Sequence, residues 1–339
     1  MILGAPGPCD WINAALDTVA KARPAVLAII CGERGSTPRE TGSWILIGQT
    51  QSLGSIGGGE LERTIIEAGQ AMLAGNGDWA RSIVHCVLGP DMRQCCGGTL
   101  EVMLQPIDAS ANLWLQKARD KQRTGTQVNV LFNKTHIATP PSVIDHNEPA
   151  PANSHAVFAL SLADHRPALA LFGAGHVGRA LCTMASQLPL RLSVFDSRKD
   201  QCAQVPASPN IDVHTPYDLL PIAQELRHHD AALVMTHSHA LDYELCRILL
   251  TNTALRYTGL IGSQAKARRF RKALKKDGLT DTQIARLTSP IGTGAAAGKE
   301  PGVIALGVLP EILKACRIAT GEPGITLQQV EAQRERAAS

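Results

Sequence analysis

Along most of this chain, short continuously apolar runs alternate with segments whose apolar residues recur at helical spacing. Together the two patterns predict its elements. Asp10 to Arg23 reads as an amphipathic helix with Trp11, Ala15, Leu16 and Val19 on one face, and Ala25 to Cys31 as a strand. Trp44 to Ile47 and Gln51 to Ile56 read as a hairpin around Gly48-Gln49-Thr50, and Leu61 to Leu73 as a helix aligning Leu61, Ile65, Ala68 and Met72. Strands follow at Ala80 to Val87 and Thr99 to Leu104, then a helix at Asn112 to Gln122 and a hairpin from Gln127 to Phe132 and Thr135 to Ala138.

The pattern then lapses. Thr139 to Ser154, TPPSVIDHNEPAPANS, is rich in proline and polar residues and has no period, as a linker would be. It divides the chain into an N-terminal domain over 1–140, a linker over 141–165 and a C-terminal domain over 166–325. In the last of these, apolar strands at Ala168 to Phe172, Leu190 to Phe195, Ala231 to Met235 and Tyr257 to Ile261 are separated by helical segments, and Gly302 to Ile318 reads as a closing helix. The fold class expected is α/β: a C-terminal Rossmann-like, doubly wound parallel sheet with an N-terminal α/β domain built on a mixed sheet.

Composition narrows the class. With 339 residues, 44% hydrophobic and 19% charged, the chain can bury two sizeable cores, although aromatics are only 4%. A formal charge of +3 without a long basic run gives no reason to expect nucleic acid. No stretch approaches membrane-span length, and the N-terminus has neither a basic n-region nor a long apolar core. The nine cysteines are an odd number, scattered in apolar surroundings, which suits reduced thiols in a cytoplasm.

Candidate chemistry begins at Gly173-Ala174-Gly175-His176-Val177-Gly178, between an apolar strand and a helix. Gly173 permits the turn, Gly175 lets a ligand's phosphates approach the backbone, and Gly178 lets the helix pack on the sheet. Asp196, closing the next strand, falls where an acid accepts a bond from a ribose hydroxyl. At the end of a later strand, Thr236-His237-Ser238-His239 leads to Asp242. The two histidines suit a hydrogen-bonded pair over a nucleotide or, with further ligands, a metal. Gly262-Ser263 before a helix carrying Lys266 offers backbone amides and a cation.

The N-terminal half offers a second set. Gly32 to Gly42 is a polar, glycine-bounded loop containing Arg39, which suits an oxyanion or a solvated connection equally well. Gly57-Gly58-Gly59-Glu60 precedes a helix and exposes backbone where an anion could bind. In Gln94-Cys95-Cys96-Gly97-Gly98, the adjacent cysteines strain any disulfide between them. A low-pKa thiol there, Cys96 before Cys95, is a candidate to touch a soft metal or carry sulfur; the alternative is a cysteine that simply packs.

Taken in order, GSTPRETG, GSIGGGELE, QCCGG, LFGAGHVGRAL, VMTHSHALDYE, LIGSQAKARRF and SPIG resemble the xanthine dehydrogenase accessory protein family of XdhC/CoxI type over nearly the whole chain. The resemblance implies a non-enzymatic chaperone of purine catabolism. It would bind molybdenum cofactor (molybdopterin), support its sulfuration with a cysteine desulfurase and insert it into apo xanthine dehydrogenase, as a homodimer. It puts cofactor-binding residues at Arg39, Gly57, Gly58, Gly59, Glu60, Gln94, Cys96, Gly97, Gly173, Gly175, His176, Gly178, Asp196, Thr236, His237, His239, Asp242, Gly262, Ser263 and Lys266. Cys96 is its candidate molybdenum contact. Gly294 to Lys299 departs from the acidic stretch common in the family. The Rossmann fingerprint alone permits another function, an NAD(P)-dependent oxidoreductase with a histidine as acid or base.

Overall fold

The computed structural model describes residues 7–76, 78–89, 97–123, 128–145, 157–164, 166–293, 298–316 and 324–326. They form two compact units. One holds the chain up to Asp164 together with a strand at Gly324–Thr326, and the other holds the stretch between them.

The first unit contains α1 (Asp10–Ala20), β1 (Ala25–Arg34), β2 (Trp44–Ile47), β3 (Ser52–Gly54), α2 (Gly59–Leu73), β4 (Ser82–Val87), β5 (Thr99–Ile107), α3 (Asn112–Arg123), β6 (Val128–Asn133), β7 (Ser142–Asp145) and β8 (Val157–Ser161). Its strands make a five-stranded sheet in the order β3-β2-β1-β5-β4 and a four-stranded sheet in which the Gly324–Thr326 strand precedes β8-β6-β7. The described pairings are all antiparallel, where a mixed sheet was expected, even between strands far apart in sequence such as β1 and β5.

The central strand β1 is apolar from Ala25 to Cys31 because both its faces are covered there. Val26, Ala28 and Ile30 pack with Leu61, Ile65 and Met72 of α2. Leu27, Ile29 and Cys31 share the opposite core with Trp11 of α1, Trp114 of α3, and Phe132 and Phe158 of the smaller sheet. Through this core Trp11, Trp114, Phe132 and Phe158 follow one another at centroid distances of 6.0, 6.2 and 6.2 Å.

Thr135 to Ala138 is not the second strand of a hairpin. Asn133 Oδ1 accepts the amides of Thr135 and His136, and the buried Arg81 donates to the carbonyls of Asn133 (2.7 Å) and Thr139 (2.9 Å), holding the segment as a turn. Strand β6 pairs instead with β7 and β8. The stretch read as a linker over 141–165 therefore contains two strands of a sheet, and the division between units falls after Asp164. Short strands among prolines give too few residues for a period to show.

The second unit contains β9 (Ala168–Phe172), α4 (His176–Ala185), β10 (Arg191–Phe195), α5 (Lys199–Cys202), β11 (Ile211–His214), α6 (Leu220–Gln224), β12 (Ala231–Val234), α7 (His239–Leu249), β13 (Tyr257–Leu260), α8 (Gln264–Lys276), α9 (Asp281–Ala285), β14 (Leu287–Thr288) and α10 (Pro301–Ala315). Its parallel sheet runs β11-β10-β9-β12-β13-β14, the doubly wound order. Leu169 and Leu171 face the core shared with α4 and α10, whereas Ala170 and Phe172 face that of α7 and α8. The strand order reverses between β9 and β12, and ligands of such sheets bind beyond the carboxyl ends of the strands there. No described helix is long and apolar enough to cross a membrane.

Candidate functional site

The candidate residues fall into two sets, one on each unit. In the second unit, the turn from β9 into α4 carries three glycines for two different reasons. Gly173 has φ +118°, and a Cβ there would sit 2.3 Å from the Met235 carbonyl oxygen. A Cβ on Gly178 would sit 2.3 Å from the carbonyl oxygen of Gly173. Packing alone therefore demands glycine at both. Gly175 differs, since its φ is −70° and nothing lies within 4 Å of the Cβ position. The chain has no internal need of glycine there, and the open volume lies at the uncapped start of α4, beside the exposed His176. That is the place a diphosphate takes in a Rossmann crevice.

Asp196, 3% exposed, is already engaged. Its Oδ2 accepts the Ala174 amide (2.8 Å) and Arg198 Nη2 (2.7 Å), and its Oδ1 accepts the Arg198 amide (3.0 Å) and Nε (2.9 Å). Burial alone would raise the Asp196 pKa, but the bonds from the Arg198 guanidinium and the two amides outweigh it and hold the carboxyl below its ordinary value.

At the ends of β12 and β13 the structure joins five predicted residues into one network. Asp242, at the start of α7, accepts the amide and hydroxyl of Thr236 on Oδ1 (3.0 and 2.7 Å) and Lys266 Nζ on Oδ2 (2.6 Å). Lys266 also donates to the Ile261 carbonyl (3.0 Å), and a Cβ on Gly262 would strike the lysine stem at 2.6 Å. Ser263 caps α8 by accepting the Lys266 amide. The two histidines are not a pair in this network. His237 is exposed and makes no hydrogen bond among the described residues, while His239 lies 3.4 Å from Arg269. Among the described residues no three histidine, cysteine, aspartate or glutamate side chains are grouped to hold a metal ion.

In the first unit, three glycine-bearing segments converge at one end of the five-stranded sheet. Gly57 lies against Pro38 and Arg39, with its Cβ position 3.0 Å from Pro38 Cγ and 3.4 Å from Arg39 Cγ. Gly35 lies against Gly98, its Cβ position 3.1 Å from Gly98 Cα, and a Cβ on Gly98 would meet the carbonyl oxygens of Ser36 and Arg34 at 2.5 and 2.7 Å. Gly57, Gly58 and Gly59 have φ of +126°, +73° and +63°, a run that only glycine adopts without strain. The Cβ positions of Gly58 and Gly97 open onto free space. Arg39 is exposed and has no hydrogen-bond or ion-pair partner among the described residues, whereas Glu60 pairs with Arg63 on the surface of α2.

Gln94, Cys95 and Cys96 lie outside the described residues; the other seven cysteines are buried and form no disulfide among the described residues. Sequence reasoning overlooked Glu62, whose Oε2 accepts the Ser55 hydroxyl (2.6 Å) and the amides of Ile56 (3.0 Å) and Gly58 (3.2 Å), so that one carboxylate shapes the triglycine turn. It also overlooked Arg198, although an arginine two positions after a strand-closing aspartate was a visible signal.

Both units are similar to known proteins. The XdhC Rossmann domain model matches residues 169–312, and the XdhC and CoxI family model matches residues 18–83. The uncharacterized protein YqeB of Escherichia coli K12 is 26% identical over 309 residues, which make up 88% of this chain and 44% of that protein, so the chain spans under half of its relative's length. A crystal structure from Bacillus halodurans, described as a xanthine dehydrogenase, shares the fold with a TM-score of 0.73. It is 24% identical, and the match covers 93% of this chain and 97% of that one. With a match in each unit and in order, the chain belongs to the XdhC and CoxI family.

Proposed function

We propose that this chain binds molybdenum cofactor as cargo, holds it while a cysteine desulfurase completes its sulfuration, and delivers it to apo xanthine dehydrogenase. The observation that supports this reading is the convergence of the Arg39 loop, the Gly57-Gly58-Gly59 turn and Gly97-Gly98 at one sheet end, with no atom of the described residues within 4 Å of the Cβ positions of Gly58 and Gly97. The cargo is a phosphorylated pterin whose dithiolene holds the metal. The Arg39 guanidinium, which has no partner among the described residues, suits its phosphate. The glycines would let the ring system lie against the backbone. Cys95 and Cys96 directly precede Gly97 in sequence, which would bring a thiol to the same cargo.

A carrier must bind and also let go. The test is anaerobic titration of the protein with molybdenum cofactor, followed by transfer to an apo molybdenum hydroxylase. Saturable binding and activation of the recipient are expected; failure to bind the cofactor, or binding without any activation, overturns the reading.

A further inference from the structure

Asp196 occupies the position from which an acid reads a ribose diol, yet it has no acceptor capacity left. A carboxylate offers about four lone-pair sites, and four donors fill them: the Ala174 amide, the Arg198 amide, Arg198 Nε and Arg198 Nη2. For a bare diol to bind there, the guanidinium would have to leave a carboxylate that is 3% exposed and give up two charge-assisted bonds.

Arg198 has the opposite character. Its side chain is one-third exposed, and the bidentate contact with Asp196 fixes the orientation of its guanidinium. Three of its five side-chain N–H groups, two on Nη1 and one on Nη2, make no bond among the described residues. Ser197, between the two, is exposed, and its hydroxyl is likewise unbonded. The neighbouring acid, Asp200, accepts Gln201 Nε2 at 2.8 Å.

We infer that Arg198 makes the Rossmann crevice of the second unit a site for a dinucleotide whose adenosine ribose carries a phosphate, the NADP(H) class, in preference to one with a free diol. The diphosphate would lie over Gly175, where the Cβ position is open, and the ribose phosphate would meet the unbonded edge of the Arg198 guanidinium and the Ser197 hydroxyl. Asp196 is then a positioning residue that holds Arg198 in place. This site lies wholly within the second unit and does not depend on how the first unit treats its cargo.

The experiment is calorimetric titration of the full chain with NADPH and with NADH, then with adenosine 2′,5′-bisphosphate and 5′-AMP. NADPH is expected to bind at least about tenfold more tightly than NADH, and the bisphosphate at least about tenfold more tightly than AMP, the scale of one charge-assisted phosphate contact. Arg198→Ala should abolish the preference for NADPH, weakening NADPH and, because two acceptor sites of Asp196 are freed for the ribose diol, leaving NADH as tight as before or tighter, and Arg198→Lys should keep part of the preference. Equal or tighter binding of the diol ligands, no binding of either dinucleotide, or a preference that survives in a folded Arg198→Ala protein overturns the inference. If that variant does not fold, the comparison of bisphosphate with AMP on the unaltered chain decides.

Discussion

Lys266 Nζ lies 2.6 Å from Asp242 Oδ2, in a pair whose side chains are 9% and 1% exposed. It joins the start of α8 to the start of α7 just beyond the carboxyl ends of β12 and β13. Removing one member of a buried pair strands the other charge at a cost of about 3–5 kcal/mol, whereas replacing both with apolar residues is often nearly neutral. Lys266→Met should therefore lower unfolding free energy by about 3 kcal/mol in urea titrations. The double variant Lys266→Met/Asp242→Leu should recover only part of this, because Thr236 would also lose its acceptor. An unchanged midpoint in the single variant would show that the pair does not hold the two helices.

The three glycines of the β9–α4 turn should separate cleanly by thermal unfolding. Gly173→Ala and Gly178→Ala each force a Cβ to within 2.3 Å of a carbonyl oxygen and should lower Tm by many degrees. Gly175→Ala should leave Tm nearly unchanged and weaken nucleotide binding, since the added methyl enters open space at the helix start. A large Tm loss at Gly175 would remove the case for a ligand there.

Glu62 and Arg39 make a similar contrast in the first unit. Glu62→Ala releases three donors of the triglycine turn and should cost about 2 kcal/mol of stability in denaturant. Arg39→Ala removes a side chain with no described partner, so stability should stay within about 0.5 kcal/mol while cofactor retention on a desalting column falls. Retention equal to that of the parent would take Arg39 out of the site.

His229 sets a pH dependence. Burial first, and then the nearby Arg191 charge, lower its pKa below the ordinary 6.5; its Nε2 lies 3.0 Å from Ser193 Oγ, and its Nδ1 is buried without a partner. Below pH 6.5 the unfolded chain takes up a proton that the folded chain refuses, so stability should fall as pH drops from 6.5 toward the lowered folded value. His229→Gln should flatten that slope in denaturant titrations run at successive pH values. An identical slope would assign the dependence to other groups.

The doubly wound sheet was legible because its central strands β9 and β12 are buried on both faces and so are written as unbroken apolar runs, as in Ala168–Phe172. The Asn112–Arg123 helix and the triglycine turn were legible by period and by glycine. The β7 and β8 strands were not, since four- and five-residue strands beside prolines carry no readable alternation. The site was readable as residue types but not as partnerships. No spacing rule says that Glu62 reaches back to Ser55, that Arg198 saturates Asp196, or that Lys266 rather than a histidine meets Asp242. Such bonds depend on where loops end, which is a tertiary matter.

The strand at Gly324–Thr326 pairs antiparallel with Phe158 to Leu160 of β8, although more than 160 residues separate them in the chain. During synthesis on the ribosome, β8 emerges long before its partner, and the whole parallel-sheet unit is made in the interval. Until then β8 presents a row of open amides and carbonyls, the kind of edge onto which foreign strands add. The nascent first unit is thus vulnerable to aggregation while the parallel-sheet unit is being made, and chains stopped short of Gly324 should be more prone to aggregate and to engage chaperones than the full chain.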